Sequence, residues 1–495
     1  MMRPTSSTLP MRSGLAGLAA LLLAGCAAIP RDDPQVAMRL PESVAAEQSL
    51  GAQTTGAWPA DEWWRGFGDA QLDALVAEAL RDAPDVQAAQ ARYRRALALA
   101  QVEGAALLPS LDATGTATLD KQSRNTAFPK EFIPRGWQDN GQVAARLEYE
   151  LDIWGRNRAA LAAARSEADA AALDAYQARL TLATGIASAY ADLARLFEVR
   201  DVRESSLGVR EATRRLVADR VTQGLEHRGN LRQAEAQVET ARSDLVAADR
   251  EIALRRHQIA VLVGAGPDRG LAIERPRIHR ATASGLPAGV TTDLVARRPD
   301  VLAARERVEA QAGRIDVARA DFFPSIRLDA LIGLQSFGLG NLLESDSTFG
   351  SVGPAISLPI FHGGSLRGRY RAAQAQYDEA VATYNGAVLD AYRQVADAVS
   401  GRDRTVRQLG HANAALAAAR EAFEIAQLRY RGGLSPYLDV LTVEDRLLEA
   451  RLAQAGLEAS ALAFEIDLVR ALGGGFGNRA PGTGGDPRNE EDVDG

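Results

Sequence analysis

Residues 84–111 read PDVQAAQARYRRALALAQVEGAALLPSL, and residues 299–326 read PDVLAARERVEAQAGRIDVARADFFPSI. The two stretches align without a gap, and about a third of their positions are identical. In each copy an alanine-rich helical stretch ends at a Pro-Ser pair, and a segment of alternating polarity begins. A second pair of stretches, 219–242 and 428–451, aligns in the same way. Such self-similarity indicates that one supersecondary plan is present twice.

Four segments of about ten residues alternate apolar and polar side chains. The odd positions of residues 143–152 are apolar and its even positions are largely charged, whereas residues 325–335 have the opposite phase. Ten residues suit a tilted strand that crosses a bilayer, but they also suit an ordinary half-buried sheet. The alternation alone therefore leaves both alternatives open. It predicts four strands, at about 110–120, 142–153, 325–336 and 350–361.

The stretches that follow each strand pair predict very long helices. No proline occurs in residues 156–223 or 365–431. At 1.5 Å per residue each stretch would extend roughly 100 Å as a helix, a length typical of coiled coils and rare in globular domains. Gly224 and the pair Gly432 and Gly433 then mark hairpin turns, after which a return helix follows in each copy.

The first residues predict export and lipidation. A basic start precedes a short apolar run, residues 15–23, and the small-residue sequence Leu-Ala-Gly then leads to Cys26. The run is too short to span a bilayer and is typical of a removable signal peptide over residues 1–25. The site resembles a bacterial lipoprotein signal, in which the cysteine becomes the acylated N-terminus. The resemblance implies a covalent lipid, such as palmitate, on Cys26, and Ala27 after it favours the outer membrane.

Composition excludes several functions. The net charge is −7 and the basic residues are spread along the chain, so we expect no nucleic-acid partner. The five histidines are scattered without metal-ligand spacing, and no nucleophile or phosphate-binding motif occurs. We therefore expect no catalytic residue, no metal site and no cofactor besides the lipid. Past the leader, no run of eighteen apolar residues could form a transmembrane helix.

Strands in a membrane must close into a barrel, because lipid cannot satisfy open backbone groups. Four strands per chain are too few, since the smallest membrane barrels have eight. If the strands lie in a membrane, several chains must share one barrel. Because the repeats share one plan, we predict one intertwined unit. The expected order is a signal peptide (1–25), a lipidated linker (26–68), the first repeat (69–264), a linker (265–298), the second repeat (299–476) and a disordered tail (477–495).

Motifs along the chain resemble those of one family. The chain is similar to the outer-membrane efflux channels of the TolC/OprM kind, and specifically to the lipoprotein (NodT) branch that serves RND-type pumps. The resemblance covers nearly all of residues 26–476. The matching motifs are ELDIWGR (150–156), RRPDV (297–301), FFPSI (322–326), LPIFHGG (358–364), RYRG (429–432) and LGGGF (472–476).

This resemblance implies a fold and a function. The fold is mainly α with a membrane β-barrel: a homotrimer shares a 12-stranded barrel, four strands per chain, and continues as a periplasmic α-helical coiled-coil tunnel. The function is a passive exit duct for drugs and other small molecules, relevant to antibiotic resistance. Its implied partners are outer-membrane lipid, a periplasmic adaptor protein and an inner-membrane RND-type pump.

The resemblance also places a gate at the periplasmic tip, near the turns at Gly224, Gly432 and Gly433. Tyr430 and Arg431 match the linking pair of the family, and Leu438 matches its apolar ring. Thr442 stands where the family usually has an acidic Asp, and Asp445 stands where an Arg is common. Glu444 supplies a further acid nearby. Leu438, Thr442 and Asp445 share one helical face by their spacing.

Two further groups follow from the resemblance. Trp137, Phe132 and Phe349 are expected in an aromatic belt near the lipid headgroups. Trp154, Gly155, Phe361 and Gly363 are expected where strand becomes helix.

Three alternatives remain on the sequence alone. An enzyme lacks a supporting motif. A lipid-anchored periplasmic coiled-coil adaptor would usually carry one helical hairpin, not a duplicated unit. A channel for type I secretion of peptides or proteins shares the fold, and the lipoprotein anchor favours small-molecule efflux over it.

Overall fold

The computed structural model describes residues 35–40, 43–50, 56–278 and 285–476. Four short 3-10 turns, at 63–67, 130–132, 339–341 and 345–347, accompany the regular elements. In chain order the helices and strands are α1 (Glu47–Leu50), α2 (Ala70–Asp82), α3 (Pro84–Ala105), β1 (Ser110–Asp120), β2 (Gln138–Glu150), α4 (Arg156–Thr222), α5 (Arg228–Leu262), α6 (Pro267–Leu271), α7 (Val290–Arg297), α8 (Pro299–Ala320), β3 (Ser325–Phe337), β4 (Thr348–Ser357), α9 (Ser365–Arg431) and α10 (Tyr437–Ala471).

The predicted duplication is present in the element lengths. Helices α3 and α8 each have 22 residues, α4 and α9 each have 67, and α5 and α10 each have 35. The repeats differ in the loop between their strands, which is longer after β1 than after β3. The helices that precede α3 and α8 also differ, since α2 has 13 residues and α7 has 8. The sequence therefore specifies one backbone plan twice, with the long helices equal in length.

The chain divides into two compact units, where the sequence predicted one. Over the described residues, the first contains residues 35–38, 93–170 and 304–383, and the second contains those of 39–92, 171–303 and 384–476. Each unit takes segments from both repeats, so the predicted interleaving is present. The number differs because α4 and α9 are each roughly 100 Å long and cannot share a single core over that length.

The first unit contains one antiparallel sheet with the strand order β1-β2-β3-β4. β2 begins four residues before its predicted start and ends at Glu150, and β4 ends at Ser357 instead of residue 361. The chain leaves the ladder after β2 because the Asp152 carboxylate caps α4, accepting from the backbone N–H groups of Asn157 and Arg158 at 3.1 and 2.9 Å. After β4, Pro359 lacks the N–H that a ladder needs.

The register places nearly all apolar strand residues on one face. Leu147 pairs with Leu111 and with Ala330, so residues from three strands point the same way. This face is uncovered: Leu111 is 72% exposed, Ile332 71% and Val352 77%. So large an apolar surface is unusual on a protein surrounded by water, which favours a lipid-facing sheet over an ordinary half-buried one. β1 and β4 are unpaired edges within this chain and need strands from other chains.

One predicted member of the aromatic belt is wrong. Phe349 pairs with Gly333, which pairs in turn with Ala144 on the polar face of the sheet. Its side chain therefore lies on the polar face of the sheet and not on the lipid-facing one. Trp137 and Phe132 are 67% and 81% exposed, and their place in a belt stays a prediction.

The second unit has a core built around the start of α2. Trp63 and Phe67 are buried in it with residues of α2 and α4. Asp69 caps α2 by accepting from the backbone N–H of Gln71 at 2.9 Å, and it also accepts from the Tyr190 hydroxyl at 2.8 Å. Over the described ranges, no helix combines the length and the apolar character that crossing a membrane requires.

Candidate gate at the helical hairpin turns

Two tight turns join the long helices of the second unit. Gly224 follows α4 and Gly433 follows α9, with φ of 74° and 73°, a left-handed conformation that glycine adopts without strain. In each turn the next residue, Leu225 or Leu434, donates its N–H to a carbonyl of the last helical turn at 2.8 Å. This pattern is typical of helix ends and fixes the entry into α5 and α10. Gly432, also predicted at the turn, lies exposed beside Gly433 without a positive φ.

Tyr430 joins the two hairpins of one chain. Its side chain is buried in a small core with Tyr437 and Phe423. Its hydroxyl donates to the Glu226 carboxylate at 3.3 Å, and the Arg220 guanidinium lies 4.8 Å from its ring. Arg220 also donates to the backbone carbonyl of Tyr430 at 3.0 Å. Burial and the Glu226 charge raise the pKa of the Tyr430 phenol to about 12, so the hydroxyl keeps its proton to donate.

Arg210 of α4 holds both predicted acids of α10. Its Nε donates to Glu444 at 3.2 Å, and its Nη2 donates to Asp445 at 2.8 Å. Its Nη1 donates to the Gln237 side chain of α5 at 2.8 Å. The side chains of Arg210 and Glu444 are only 7% and 6% exposed, whereas that of Asp445 is 49% exposed. One guanidinium therefore ties α4, α5 and α10 together; we name Arg210, Glu444, Asp445 and Gln237 the polar clamp.

The clamp has one cation for two carboxylates, which affects the protonation of Glu444. Burial raises the pKa of Glu444 to about 7, and the nearby Asp445 charge adds to the rise, although Arg210 opposes it. Glu444 therefore changes charge near neutral pH within this contact. Tyr437 lies in the same field, and its burial beside Glu444 raises its pKa to about 12.

The other predicted gate residues lie on the outside of α10 and α9. Leu438 is 61% exposed, and Thr442 is exposed with its hydroxyl donating to the Leu438 carbonyl at 2.9 Å. With half-exposed Asp445 they form the shared face that the spacing predicts. Glu444 lies on the buried side, and Arg431 is exposed. The structure thus separates the predicted set into an exposed face and a buried clamp.

Neither Arg210 nor the role of Glu226 was predictable from the motifs of the chain. Arg210 lies fourteen residues before Gly224, and Glu444 lies eleven residues after Gly433 (224 − 210 and 444 − 433). At 1.5 Å per residue, the distance from Arg210 to Gly224 and the distance from Glu444 to Gly433 differ by less than one helical pitch. Comparing distances from the turns would therefore have selected Arg210 as a candidate partner.

The strand-to-helix residues behave differently in the two repeats. The Trp154 ring stacks on Phe323 with centroids 4.6 Å apart, and its indole N–H donates to the Pro324 carbonyl at 2.7 Å. Gly155 has φ of 78° immediately before α4, and Gly363 has φ of 57° before α9. Phe361, at the matching place in the second repeat, is 87% exposed within the single chain.

Three predicted features fall on parts of the chain that the structure does not describe. The signal peptide (1–25), Cys26 and the tail (477–495) lie outside the described residues. Among the residues that the structure describes, no three His, Cys, Asp or Glu side chains group as metal ligands.

A four-stranded sheet with a lipid-facing side and two open edges, continued by long helical hairpins, defines a channel that several chains build together. Comparison with known proteins places this chain within that class. A model of the outer membrane efflux protein family matches residues 75–265 and again residues 290–474. These matches cover well over half of the chain, which therefore belongs to the outer membrane efflux protein family.

Individual relatives agree with this assignment. The chain is 34% identical to the fusaric acid resistance protein FusA of Burkholderia cepacia, over 72% of this chain and 68% of FusA. It is 28% identical to the multidrug resistance outer membrane protein MdtP of Escherichia coli K12, over 92% and 94% of the two chains. Its structure resembles the crystal structure of the outer membrane protein VceC of Vibrio cholerae with a TM-score of 0.79 and 39% identity, over 85% of this chain and all of VceC.

The protein is therefore an outer-membrane efflux channel that extends into the periplasm. The predicted fold class is confirmed: the chain is mainly helical and contributes four strands to a trimeric barrel that continues as a helical tunnel. The adaptor alternative is wrong, because the repeated sheet and hairpins are those of the channel family. The transport role is likewise that of the family.

Proposed function

We propose that this channel is the passive exit duct of a tripartite efflux system and that the two hairpin turns form its periplasmic gate. An inner-membrane RND-type pump would drive transport through a periplasmic adaptor, with the channel itself carrying out no chemistry. Small molecules are the proposed cargo. The names of FusA and MdtP, which concern fusaric acid and multidrug resistance, support small molecules over peptides.

The observation that carries the gate proposal is the polar clamp. A buried ion pair contributes little net stability compared with apolar packing of the same volume. Arg210 nevertheless joins α4 to α10 through such a pair, fourteen residues before the first turn glycine and eleven residues after the second for Arg210 and Glu444 respectively. A contact of this kind holds the helices in one arrangement and can be replaced by water when they separate. It therefore suits a closure that opens reversibly.

Single-channel conductance of the purified trimer in a planar bilayer tests the proposal. Wild-type protein should give a small, cation-preferring conductance. The double variant Glu444→Gln with Asp445→Asn leaves Arg210 as a buried cation without a counter-ion, so it should increase the conductance or the time spent open. Glu235→Gln is the matched control, because Glu235 is the equivalent of Glu444 in the first repeat and pairs with the exposed Arg232.

The outcomes separate the two parts of the proposal. Inserted protein that gives no current in any form would exclude a conducting channel. Wild-type current that is unchanged in the double variant would place the gate away from the clamp. An equal increase in the control would show a general loss of negative charge instead of gate opening.

We also propose that Cys26 carries the lipid that anchors the mature chain. It is the only cysteine of the protein, so labelling is unambiguous. Each buried CH₂ of an acyl chain contributes about 0.8 kcal/mol to membrane binding. Cells grown with radioactive palmitate should label the wild-type protein and not Cys26→Ser. Label retained in Cys26→Ser would exclude this attachment site.

A further inference from the structure

Two phenylalanines lie on the polar face of the sheet. Phe337 at the end of β3 pairs with Asn140, and Phe349 at the start of β4 pairs with Gly333. Side chains two residues apart on a strand, or paired across neighbouring strands, lie on the same face. Phe337 therefore shares the polar face with Gln335 and Asn140. Gly333 has no side chain beside Phe349, which leaves space over the sheet for the ring. These aromatic rings therefore depart from the polar lining of their face.

Phe337 and Phe349 border one cavity of about 640 Å³, which we name the outer cavity. It lies where β1 and β3 end and β2 and β4 begin, while the helices join the sheet at its other end. Its polar lining includes Thr116, Gln142, Gln335 and Asp120. The volume is in the range of pockets that hold drug-sized molecules.

The charge of the outer cavity is of one sign. Asp120 and Asp346 line it, and none of the described residues that line it is basic. The Asp120 carboxylate is held in place, since it accepts from the Thr118 hydroxyl at 2.8 Å and from the Asn140 amide at 2.7 Å. A fixed carboxylate that lines the same cavity as aromatic rings attracts an organic cation by its charge, and the ring faces add to that attraction. Anions and neutral polar molecules lack one or both of these interactions.

We propose that the outer cavity is a weak binding site for aromatic organic cations near the external end of the pore. The polar face of the sheet is the inner face of the barrel, so a molecule leaving the channel passes the site. Three chains place three such sites around one exit. Binding is weak because the cavity is open to water, which suits a site that must also release its ligand. The proposal uses the barrel of the family and does not depend on the gate at the hairpin turns.

Block of the channel current by two small cations tests the site. Benzyltrimethylammonium has an aromatic ring and tetramethylammonium lacks one, while both have the same charged group. Added from the barrel side, the aromatic cation should block wild-type current at lower concentration. The double variant Phe337→Leu with Phe349→Leu keeps apolar side chains without ring faces. It should raise the blocking concentration of benzyltrimethylammonium about two- to fivefold for each ring removed. The blocking concentration of tetramethylammonium should rise less, because this cation interacts with the ring faces through its charge but has no ring of its own to stack on them.

Two further variants complete the experiment. Asp120→Asn should weaken block by both cations, because it removes charge and not an aromatic surface. Phe128→Leu is the matched control, since Phe128 is 73% exposed in the loop after β1 and does not line the outer cavity. A preference for the aromatic cation that persists in the double variant, or that Phe128→Leu also abolishes, would overturn the proposal. Block from the periplasmic side alone would likewise place the site elsewhere.

A measurement without current guards against variants that conduct poorly. Saturation-transfer NMR of benzyltrimethylammonium with the purified trimer in detergent should show a signal that falls in the Phe337→Leu/Phe349→Leu trimer. An unchanged signal would refute the site even if the gate proposal failed for other reasons. Circular dichroism and the trimer band on a native gel establish that the wild-type protein and the Phe337→Leu/Phe349→Leu variant are both folded.

Discussion

The polar clamp makes Arg210→Met the most informative substitution at the proposed gate. Methionine keeps much of the side-chain volume but removes all four hydrogen bonds to Glu444, Asp445 and the side chain and backbone of Gln237. Glu444 is then a buried carboxylate without its cation. Removing one partner of a buried ion pair typically costs 3–5 kcal/mol. Because Glu444 can escape part of this cost by taking up a proton, we expect about 3 kcal/mol at pH 8.

A change of this size is large on the scale of a gate. About 1.4 kcal/mol corresponds to a tenfold change in an equilibrium constant, so the open-to-closed ratio should rise about a hundredfold. The assay is the fraction of time that a single trimer spends in its high-conductance state at pH 8. Arg232→Met serves as the control, since Arg232 is 80% exposed and its pair with Glu235 should contribute at most about 1 kcal/mol.

A second substitution tests the physical reason. Arg210→Met combined with Glu444→Met removes the stranded charge, and replacing a buried ion pair by apolar side chains is often neutral or stabilising. The open fraction should therefore return towards the wild-type value, giving a coupling between the two positions. The reasoning would be refuted if Arg210→Met left the open fraction unchanged, or if the double variant opened as much as the single one.

Three more predictions concern individual contacts. The pKa of Glu444 is about 7 in the packed tip and ordinarily 4.5, so the packed state binds the extra proton and should be favoured at pH 5. Raising the pH to 8 should destabilise the packed state by up to about 3 kcal/mol and so increase the open fraction. In Glu444→Gln this dependence should disappear, because Arg210 keeps Asp445 as its counter-ion; a pH profile equal to wild type would contradict the assignment. Tyr430→Phe loses the 3.3 Å hydrogen bond to Glu226 and should raise the open fraction about fivefold, for a loss of about 1 kcal/mol, and no change would mean that this bond does not hold the tip. Trp154→Phe keeps a ring to stack but loses the indole hydrogen bond, so the melting temperature of the trimer should fall by a few degrees, and less than in Trp154→Ala.

The backbone plan was largely predictable because it depends on patterns that repeat along the chain. The first strand was predicted at 110–120 and is observed there, since its alternation is bounded by Pro109 and by the loop after Asp120. The later strand ends were less accurate because their alternation continues past the last ladder hydrogen bond. One ladder ends because Asp152 caps the following helix, and the other ends because Pro359 has no N–H to donate. The alternation of polar and apolar residues reveals neither cause.

Lateral contacts between elements were the part that the sequence could not determine. Spacing placed Leu438, Thr442 and Asp445 on one face of α10, and their exposure agrees with it. The same spacing turns Glu444 away from that face but does not say what it meets. Helix α4 carries many arginines that could have reached Glu444, and only packing selects Arg210. Phe349 was misplaced for a related reason, because its face depends on pairing with Gly333 across the sheet.

The two repeats share a backbone but not the clamp, and this difference limits how the gate can work. The position equivalent to Arg210 in the second repeat is Ala419, and the position equivalent to Asp445 in the first repeat is Ala236 (419 − 210 and 445 − 236 both equal the 209-residue shift of the hairpins). Each chain therefore has one clamp for its two hairpins, and a trimer has three clamps for its six hairpins. Because helix length is the same in both repeats, backbone geometry cannot distinguish a moving hairpin from a static one. The polar side chains have to supply that distinction, which is why substitutions at Arg210 and Glu444 should affect opening while substitutions at their counterparts in the other repeat, Ala419 and Glu235, should not.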